Sequence, residues 1–301
     1  MNTNPSFWYL ASYPKSGNTW LRILIKEYKR LHAIDAGGPG WADDPGSRSI
    51  PVNINSDIRT GAIASSRSWL DDQIGVNSCN LSYADLDPLR CYVGQSSHVF
   101  SEEDRYHKVH DAFTSPESRG RSIVCPENCA GAIYIIRNPE DVVVSLANHM
   151  GFSLEESVTF MLNRRAKMAG SEIRGNSQVR QFLGTWAMHV ISWTNQRLIP
   201  LHLVRYEDLL QDGLATFSGI VEFLCLPLDL ELVKEALANT SINRLQKQED
   251  LFGGFVEAGA GERFFRSGKS GEGKEKLTPA QISRIQSNFS ELMHHYGYHD
   301  S

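Results

Sequence analysis

The segment from residue 7 to residue 28 most tightly limits the folds open to this chain. It begins with a short apolar run, Phe7–Ala11, that predicts a buried strand, and residues 21–28 predict a helix. Between them, residues 13–20 read Tyr-Pro-Lys-Ser-Gly-Asn-Thr-Trp. A strand, a tight loop and a helix N-terminus direct backbone N–H groups and the positive end of the helix dipole at one anion. We therefore predict a phosphate-binding loop, with a charge and two hydroxyl groups from Lys15, Ser16 and Thr19.

Further strand patterns alternate with helix patterns along the chain. Residues 132–136 form a continuous apolar run of the kind found in central parallel strands, and residues 201–204 predict another strand. The alternation predicts an α/β fold with a central parallel sheet flanked by helices on both faces. With 301 residues, 41% of them hydrophobic, the chain is long enough for one domain over residues 1–301.

Several shorter elements complete this prediction. We expect one strand around residues 91–93, and we expect helices over four stretches: 68–74, 154–168, 179–197 and 278–296. Two segments rich in glycine lack any helical or strand period. Residues 35–66 are predicted to be a substrate lid, and residues 252–276 a mobile loop that covers the cofactor.

A second anion-binding position is predicted at the end of the strand over residues 132–136. Arg137 follows that strand directly, and Asn138, Pro139 and two acidic residues then signal a helix start. Ligands of open parallel sheets bind at the carboxyl ends of the strands. An arginine there can hold a phosphate through its planar fork. Ser145, two turns into the helix, is by itself an ordinary polar helix residue.

Residues 106–111, Tyr-His-Lys-Val-His-Asp, form the candidate catalytic segment. In an extended chain Lys108 and His110 project to one face, whereas His107 projects to the other. The Lys-x-His spacing therefore brings a cation and a base together, and His107 is a rival base on the wrong face. Asp111 follows the base directly. A pocket lined by Asp111 and other carboxylates would favour a cationic acceptor, although solvated surface acids are the alternative explanation. The other acids are Asp43, Asp44, Glu102, Glu103 and Asp104.

Two of these segments resemble the motifs of cytosolic-type sulfotransferases, which use 3′-phosphoadenosine 5′-phosphosulfate (PAPS) as sulfuryl donor. Residues 13–20 resemble the family's 5′-phosphosulfate loop, and residues 136–145 resemble its 3′-phosphate motif. The resemblance implies a P-loop-like fold, PAPS as donor and adenosine 3′,5′-bisphosphate (PAP) as product, with no metal required. It also implies that His110 deprotonates the acceptor while Lys108 and Lys15 stabilise the transferring group. The implied donor-binding residues in these two motifs are Lys15, Ser16, Gly17, Asn18, Thr19, Trp20, Arg137 and Ser145.

A third region resembles the family less closely. Family members carry Arg-Lys-Gly followed by Gly-Asp-Trp-Lys, whereas residues 266–274 read Arg-Ser-Gly-Lys-Ser-Gly-Glu-Gly-Lys. Gly273 thus replaces the family tryptophan, and Lys269 is a candidate substitute for the lost lysine. The alternative for this loop is a solvated, basic loop without a ligand. Tyr206 matches a family tyrosine near the adenine, and its alternative is an ordinary aromatic residue of the core. The resemblance adds four donor-binding residues: Tyr206, Arg266, Ser267 and Gly268.

Composition narrows the partners and the compartment. A net charge of −5 argues against a general nucleic-acid binder. Five cysteines, an odd number, suit a reducing compartment, and no signal peptide or apolar run of roughly 20 residues is visible. We expect a cytoplasmic enzyme that acts on a small molecule and does not bind a membrane. Cys125 and Cys129 have the spacing of half a metal site, but no second pair matches them, so an ordinary loop is predicted there.

The oligomeric state and two other functions stay open. Lys274 and Thr278 fit the family's dimerisation motif, but Pro279 and Ser283 replace its valine and glutamate. A nucleotide or small-molecule kinase would need Gly-x-x-x-x-Gly-Lys-Ser/Thr, and this loop lacks both of those glycines. A non-catalytic PAP-binding module has no need of the Lys-x-His pair. The sequence therefore favours a sulfotransferase over both alternatives.

Overall fold

A computed structural model describes residues 7–36, 65–96, 106–114, 122, 124–169, 177–255, 260 and 263–298. Within these ranges the chain forms a parallel four-stranded sheet and a short antiparallel pair. The strands are β1 Phe7–Ala11, β2 Tyr106–Val109, β3 Cys129–Ile136, β4 Lys167–Met168, β5 Gln181–Phe182 and β6 Leu201–Arg205. The order in the main sheet is β2-β1-β3-β6. The predicted parallel sheet is thus confirmed.

Helices connect the strands and cover the sheet. In chain order they are α1 Asn18–Asp35, α2 Arg67–Ile74, α3 Tyr83–Ser96, α4 Pro139–Met150, α5 Leu154–Leu162, α6 Trp186–Thr194, α7 Tyr206–Gln211, α8 Gly213–Phe223, α9 Leu230–Asn239, α10 Ile242–Leu251, α11 Glu272–Lys276 and α12 Pro279–His295. The start of α4 follows the sequence signals, since the Asn138 side chain accepts a hydrogen bond from the Glu140 amide at 2.9 Å. None of the helices in these described ranges is long and apolar enough to cross a bilayer.

Two hydrophobic cores lie on opposite faces of the sheet. Alternate residues of a strand point to opposite faces, so Tyr9 and Tyr134 join one core while Leu10 and Ile133 join the other. The first core contains side chains of α4, α5, α6 and α12, and the second contains side chains of α1, α8 and α9. Helices therefore cover both faces of the sheet, as the sequence predicts.

The parallel register brings the carboxyl ends of the four strands to one edge. Ala11 lies beside Val109 on one side and Tyr134 on the other, and Ile136 lies beside Arg205. The residues that directly follow these strands therefore meet at this edge. They are Ser12, His110, Arg137 and Tyr206.

The strand predicted at residues 91–93 is wrong, because these residues belong to α3. Ser82 caps this helix: its Oγ accepts from the Asp85 amide at 3.3 Å and donates to Asp85 Oδ2 at 2.6 Å. Leu86 then packs in a buried cluster with Leu70. This N-cap and the packing of α3 outweigh the strand preference of the short apolar run.

The two helices predicted over residues 154–168 and 179–197 are shorter than expected. The first ends at Leu162, and the second begins at Trp186. Between them β4 and β5 pair in antiparallel register. The second helix starts late because Thr185 caps it, accepting from the Met188 amide at 3.1 Å.

The two predicted loops are only partly described. Most of residues 35–66 lies outside the described residues, as do Asp43, Asp44 and residues 102–104. The loop predicted over residues 252–276 directly follows α10, and its last five residues form α11 instead. The Thr278 side chain caps α12, and Pro279 is the first residue of that helix.

Candidate active site

The predicted phosphate loop connects β1 to α1 through two unusual backbone conformations. Lys15 and Gly17 have positive φ values of 68° and 107°. The Asn18 side-chain amide donates to the Leu10 carbonyl at 2.7 Å and to Ser12 Oγ at 3.3 Å, which ties the start of α1 to the end of β1. A Cβ on Gly17 would lie 2.6 Å from Tyr206 Cδ2. Only glycine fits this position without movement of the tyrosine.

Arg137 lies against the same loop and is almost fully buried. Its guanidinium donates to the carbonyl oxygens of Lys15 at 3.3 Å and Lys269 at 3.0 Å, and it stacks over the Tyr206 ring at 4.5 Å. Asp141 Oδ2 is 3.8 Å from Arg137 Nη2. These contacts hold a cation beside the start of α1.

Three polar atoms are buried in this region, and two of them can donate to an anionic ligand. Among the described residues, Ser16 Oγ, Asn18 Oδ1 and Arg137 Nε are buried without a hydrogen-bond partner. Buried polar groups are normally paired, so such atoms call for a ligand or a water molecule. Two of the three are donors, as an anion requires.

A cavity of about 870 Å³ opens at this edge of the sheet. It brings together most of the predicted site residues: Lys15, Gly17, Asn18, Thr19, Trp20, Lys108, His110, Arg137, Ser145, Tyr206, Arg266, Ser267 and Gly268. Ser16 is fully buried beneath the loop rather than part of the wall. Trp20 packs edge-on against Tyr206 at 5.8 Å, and its indole N–H donates to the Thr240 carbonyl at 3.0 Å. The three predicted regions therefore share one cavity.

The end of β2 carries the candidate base as the strand alternation predicts. Lys108 and His110 line the cavity, whereas His107 is buried and stacks on Phe7 at 4.7 Å. His110 Nδ1 lies 2.9 Å from the Ser12 carbonyl oxygen and 3.2 Å from Ser12 Oγ. Because a carbonyl oxygen only accepts, this contact assigns the proton to Nδ1 and the lone pair to Nε2.

His189 supports His110 from behind. Its Nε2 lies 3.1 Å from the His110 carbonyl oxygen, and its Nδ1 lies 2.8 Å from the Tyr134 hydroxyl. The carbonyl can only accept, so Nε2 donates to it; in the neutral imidazole Nδ1 then accepts from the tyrosine hydroxyl. Burial lowers the pKa of His189 to about 4, which keeps it neutral at physiological pH.

The expectation that Asp111 lines the acceptor pocket is wrong. Its carboxylate is buried, and it pairs with Arg90 at 2.5 Å and accepts from the Phe182 amide at 2.9 Å. Its carbonyl oxygen accepts from the Trp193 indole at 3.0 Å. A strand alternates its side chains, so the residue after a cavity-facing His110 points into the protein. Asp111 anchors the end of β2 from the interior.

The loop before α11 is closed by its own ion pairs. Arg266 forms a two-pronged pair with Glu272 at 2.7 and 2.6 Å, and Ser267 Oγ donates to the same carboxylate at 2.8 Å. Burial opposes ionisation of Glu272, but the hydrogen bonds from Arg266, Lys276 and Ser267 prevail and lower its pKa to about 2. The exposed Lys269 meets Arg137 through its carbonyl oxygen.

Close packing explains the glycine at the family's tryptophan position. Asp141 accepts hydrogen bonds from the Gly271 and Gly273 amides at 2.9 and 2.8 Å, which draws the start of α11 onto α4. A Cβ on Gly273 would lie 2.5 Å from Glu140 Cβ. Any larger residue at this position would separate the two helices.

Sequence reasoning missed several residues of the cavity wall. Asn148 and His149 line it beside Ser145 at helical spacings of three and four residues, a signal that could have identified them. Phe264, inside the predicted loop of residues 252–276, lies under the Lys15 ammonium at 4.0 Å. Gln178, Gln181 and Thr240 come from distant segments and carried no local signal.

Comparison with known families agrees with this geometry. A family model described as a sulfotransferase domain matches residues 7–297. The chain belongs to the sulfotransferase family. Sulfotransferase 2A1 of Macaca fascicularis is 32% identical over 290 residues, covering 94% of this chain and 83% of the relative. The 3-beta-hydroxysteroid sulfotransferase of Cavia porcellus is 25% identical over 297 residues, covering 95% and 83%.

Solved structures support the fold of this sulfotransferase. The mouse sulfotransferase SULT7A1 complexed with PAP has a TM-score of 0.56 at 18% identity, covering 96% of this chain and 85% of the other. Retinol dehydratase in a complex with retinol and PAP has a TM-score of 0.57 at 16% identity, covering 96% and 82%. At these identities the likeness is one of fold, and it confirms the P-loop-like α/β architecture.

Proposed function

We propose that this sulfotransferase transfers the sulfuryl group of PAPS to a hydroxyl or amine of a small-molecule acceptor. One observation carries the proposal: the loop before α1, the Arg137–Ser145 segment and the Lys108–His110 pair line the same cavity. The site thus combines two anion-binding positions with one base. A donor that carries a phosphosulfate and a separate 3′-phosphate matches this combination.

The donor side of the proposal rests on cations and orphaned donors. Lys15 and the amides at the start of α1 would hold the 5′-phosphosulfate, and Arg137 with Ser145 would hold the 3′-phosphate. Arg137 lines the cavity, and its Nε, buried without a partner among the described residues, would gain one from the bound donor. The two relatives of known structure contain PAP, which supports the same donor here.

Further residues would position the rest of the donor. Tyr206 lies between Gly17 and the Arg137 guanidinium, where its ring can pack against the adenine. Arg266, Ser267 and Gly268 would close over the 3′-phosphate from the loop before α11. We keep residues 1–301 as one domain, with residues 35–66 as the acceptor lid.

The acceptor side depends on the orientation of His110. Its Nδ1 proton is directed at Ser12, so Nε2 carries the lone pair that would take the proton of the acceptor. A positioned base of this kind contributes typically about 10²–10⁴ in rate. The bound donor supplies the activated sulfuryl group. Lys108 and Lys15 would stabilise negative charge near that group by electrostatic attraction.

The acceptor can be a cationic or a neutral small molecule. Asp111 does not supply a carboxylate for a cationic acceptor, because it is paired with Arg90. Asp43, Asp44 and residues 102–104 lie outside the described residues. A cationic natural product therefore enters an acceptor screen on equal terms with neutral alcohols, phenols and a hydroxysteroid.

Sulfuryl transfer from labelled PAPS to such a panel tests the proposal. We expect transfer to at least one acceptor, and we expect His110→Asn to lower the rate about 10²–10⁴-fold while PAP still binds. His295→Asn, an exposed substitution on α12, is the matched control and should leave the rate unchanged. Phosphoryl transfer from ATP–magnesium, or an unchanged rate in His110→Asn, would contradict the proposal.

A further inference from the structure

Two thiols and a carboxylate meet at a point outside the cavity. The sulfur atoms of Cys91 and Cys125 and a carboxylate oxygen of Glu127 all lie within 4.8 Å of one another. Cys91 comes from α3, whereas Cys125 and Glu127 come from the turn before β3. Cys125 therefore meets Cys91 rather than Cys129, whose sulfur contacts the Gly131 carbonyl at 3.2 Å. The fold supplies the partner that the sequence spacing lacks.

These three atoms lie close enough together to form part of the ligand shell of a zinc ion. Zinc binds thiolate sulfur at about 2.3 Å and carboxylate oxygen at about 2.0–2.2 Å in tetrahedral geometry. Such a centre separates two sulfurs by about 3.8 Å and a sulfur from an oxygen by about 3.6 Å. Cys125 Sγ and Glu127 Oε2 are 3.3 Å apart, so small side-chain rotations would complete the shell.

We propose that Cys91, Cys125 and Glu127 form a zinc-binding site, with water as the fourth ligand. Thiolates favour zinc over magnesium or calcium, which prefer oxygen ligands. Binding would release the thiol protons, because only thiolates coordinate the metal. As far as the described residues show, none of the three ligands lines the donor cavity, so the ion would take no direct part in the transfer.

Both ligand-bearing segments are held in place by their neighbours. Arg90, directly before Cys91, forms the buried pair with Asp111 at 2.5 Å. The turn that carries Cys125 and Glu127 is closed by a hydrogen bond of 3.4 Å from the Cys129 amide to the Pro126 carbonyl. A metal at this point would fasten α3 to the entrance of β3. Through Arg90 and Asp111 it would also stabilise the end of β2, next to His110.

Titration of the reduced, chelator-treated full chain with zinc tests the site, with cobalt as a spectroscopic substitute. We expect one equivalent to bind, thiolate-to-cobalt charge-transfer absorption to appear, and the Tm to rise with the concentration of free zinc. Cys91→Ser, Cys125→Ser and Glu127→Gln should each weaken binding at least about tenfold. Cys225→Ser, an exposed cysteine on another element, is the matched control and should bind as the wild type does.

We expect Glu127→Gln to fold as the wild type does, because the Glu127 side chain is exposed and glutamine has nearly the same shape. Three results would overturn the proposal. The first is binding of less than one equivalent by the reduced wild type. The second is equal binding by Cys91→Ser and wild type. The third is an intact mass lower by two hydrogens in protein purified without reductant but with zinc, which would show a Cys91–Cys125 disulfide instead.

Discussion

The loop between β1 and α1, here called the donor loop because we propose that it holds the donor, faces the same cavity as the end of β2. The two are built in different ways. In the loop, Asn18 contacts Leu10 and Ser12, and the Leu21 amide donates to the Gly17 carbonyl at 3.1 Å, all within a dozen residues. The end of β2 is fixed instead by side chains and amides from distant elements: Ser12, Arg90, Phe182, His189 and Trp193. Local contacts thus shape the donor loop, whereas long-range packing sets the orientation of His110.

This difference predicts two kinds of mutational effect. Changes in the donor loop should act mainly on ligand binding, because Lys15, Gly17 and Asn18 line the cavity. Changes behind β2 should act mainly on stability, because they leave buried charges or polar groups without partners. Three substitutions test the contrast, from the largest expected effect to the smallest.

The first is Asp111→Asn, which leaves the buried Arg90 guanidinium without its closest counter-charge. Removing one partner of a buried pair typically costs about 3–5 kcal/mol of unfolding free energy. Asp87, at 3.9 Å from Arg90, compensates part of the charge, so we expect a value near the lower end of that range. Urea unfolding provides the measurement.

Glu231→Gln is the matched control for Asp111→Asn. It breaks the Glu231–Lys234 pair, whose side chains are 81% and 54% exposed. An exposed pair contributes about 0–1 kcal/mol, so the control should barely change the unfolding midpoint. Equal losses for the two substitutions would refute the structural role of Asp111.

The second test is the pH dependence conferred by His189. Its pKa is about 4 in the folded protein and about 6.5 when exposed, so between these values the unfolded chain binds a proton that the folded chain does not. Stability should therefore fall as the pH drops from 6.5 towards 4, by roughly 3 kcal/mol in total. In His189→Gln this part of the slope should vanish.

Unfolding free energies of wild type and His189→Gln at pH 7 and pH 5 give the comparison. The loss of the hydrogen bond to the His110 carbonyl lowers the stability of the variant at both pH values and cancels in the difference. The contribution of His202, whose pKa is also lowered by burial, is the same in both proteins and cancels as well. Parallel pH slopes for the two proteins would show that His189 is not a neutral buried support.

The third test is Gly17→Ala in the donor loop. The new Cβ would meet Tyr206 at 2.6 Å and Ile135 at 3.1 Å, at a φ of 107° that alanine rarely adopts. We expect a cost on the order of 1–3 kcal/mol, expressed mainly as weaker PAP binding. Calorimetric titration measures the affinity.

Gly75→Ala separates strain from steric clash. Gly75 also has a positive φ, 69°, but a Cβ there meets nothing within 4 Å. It caps α2, outside the wall of the cavity. Gly75→Ala should therefore lower stability slightly and leave PAP affinity unchanged, and an equal loss of affinity in both variants would refute the local role of Gly17.

The same contrast explains what could be predicted from the sequence. The donor loop, β1, the start of α4 and the shared face of Lys108 and His110 follow from local patterns, and the structure contains each of them. The supporting role of Arg90 was missed because residues 91–93 were predicted as a strand and no helix was expected around Arg90. That pair joins positions 21 residues apart, and no local pattern encodes it.

Asp111 shows the limit most clearly. Its place after the base suggested an acceptor-binding carboxylate, but the alternation that turns His110 towards the cavity turns Asp111 away from it. The cysteines give a similar lesson, because the sequence predicted only an ordinary loop at Cys125 and Cys129, whereas the fold brings Cys91 to Cys125. Side chains that meet through tertiary packing can be identified only once the elements are assembled.

Calorimetric titration with PAP tests the central claim most directly, on wild type, Lys15→Ala and Arg137→Ala, with ATP–magnesium as the competing ligand. Lys234→Ala, an exposed lysine on α9, is the matched control. Hydrogen bonds to charged groups contribute about 1.5–3 kcal/mol each, so each site variant should lose roughly tenfold to a hundredfold in affinity while the control binds as the wild type. Binding of ATP as tight as that of PAP, or unchanged PAP affinity in both site variants, would contradict the account.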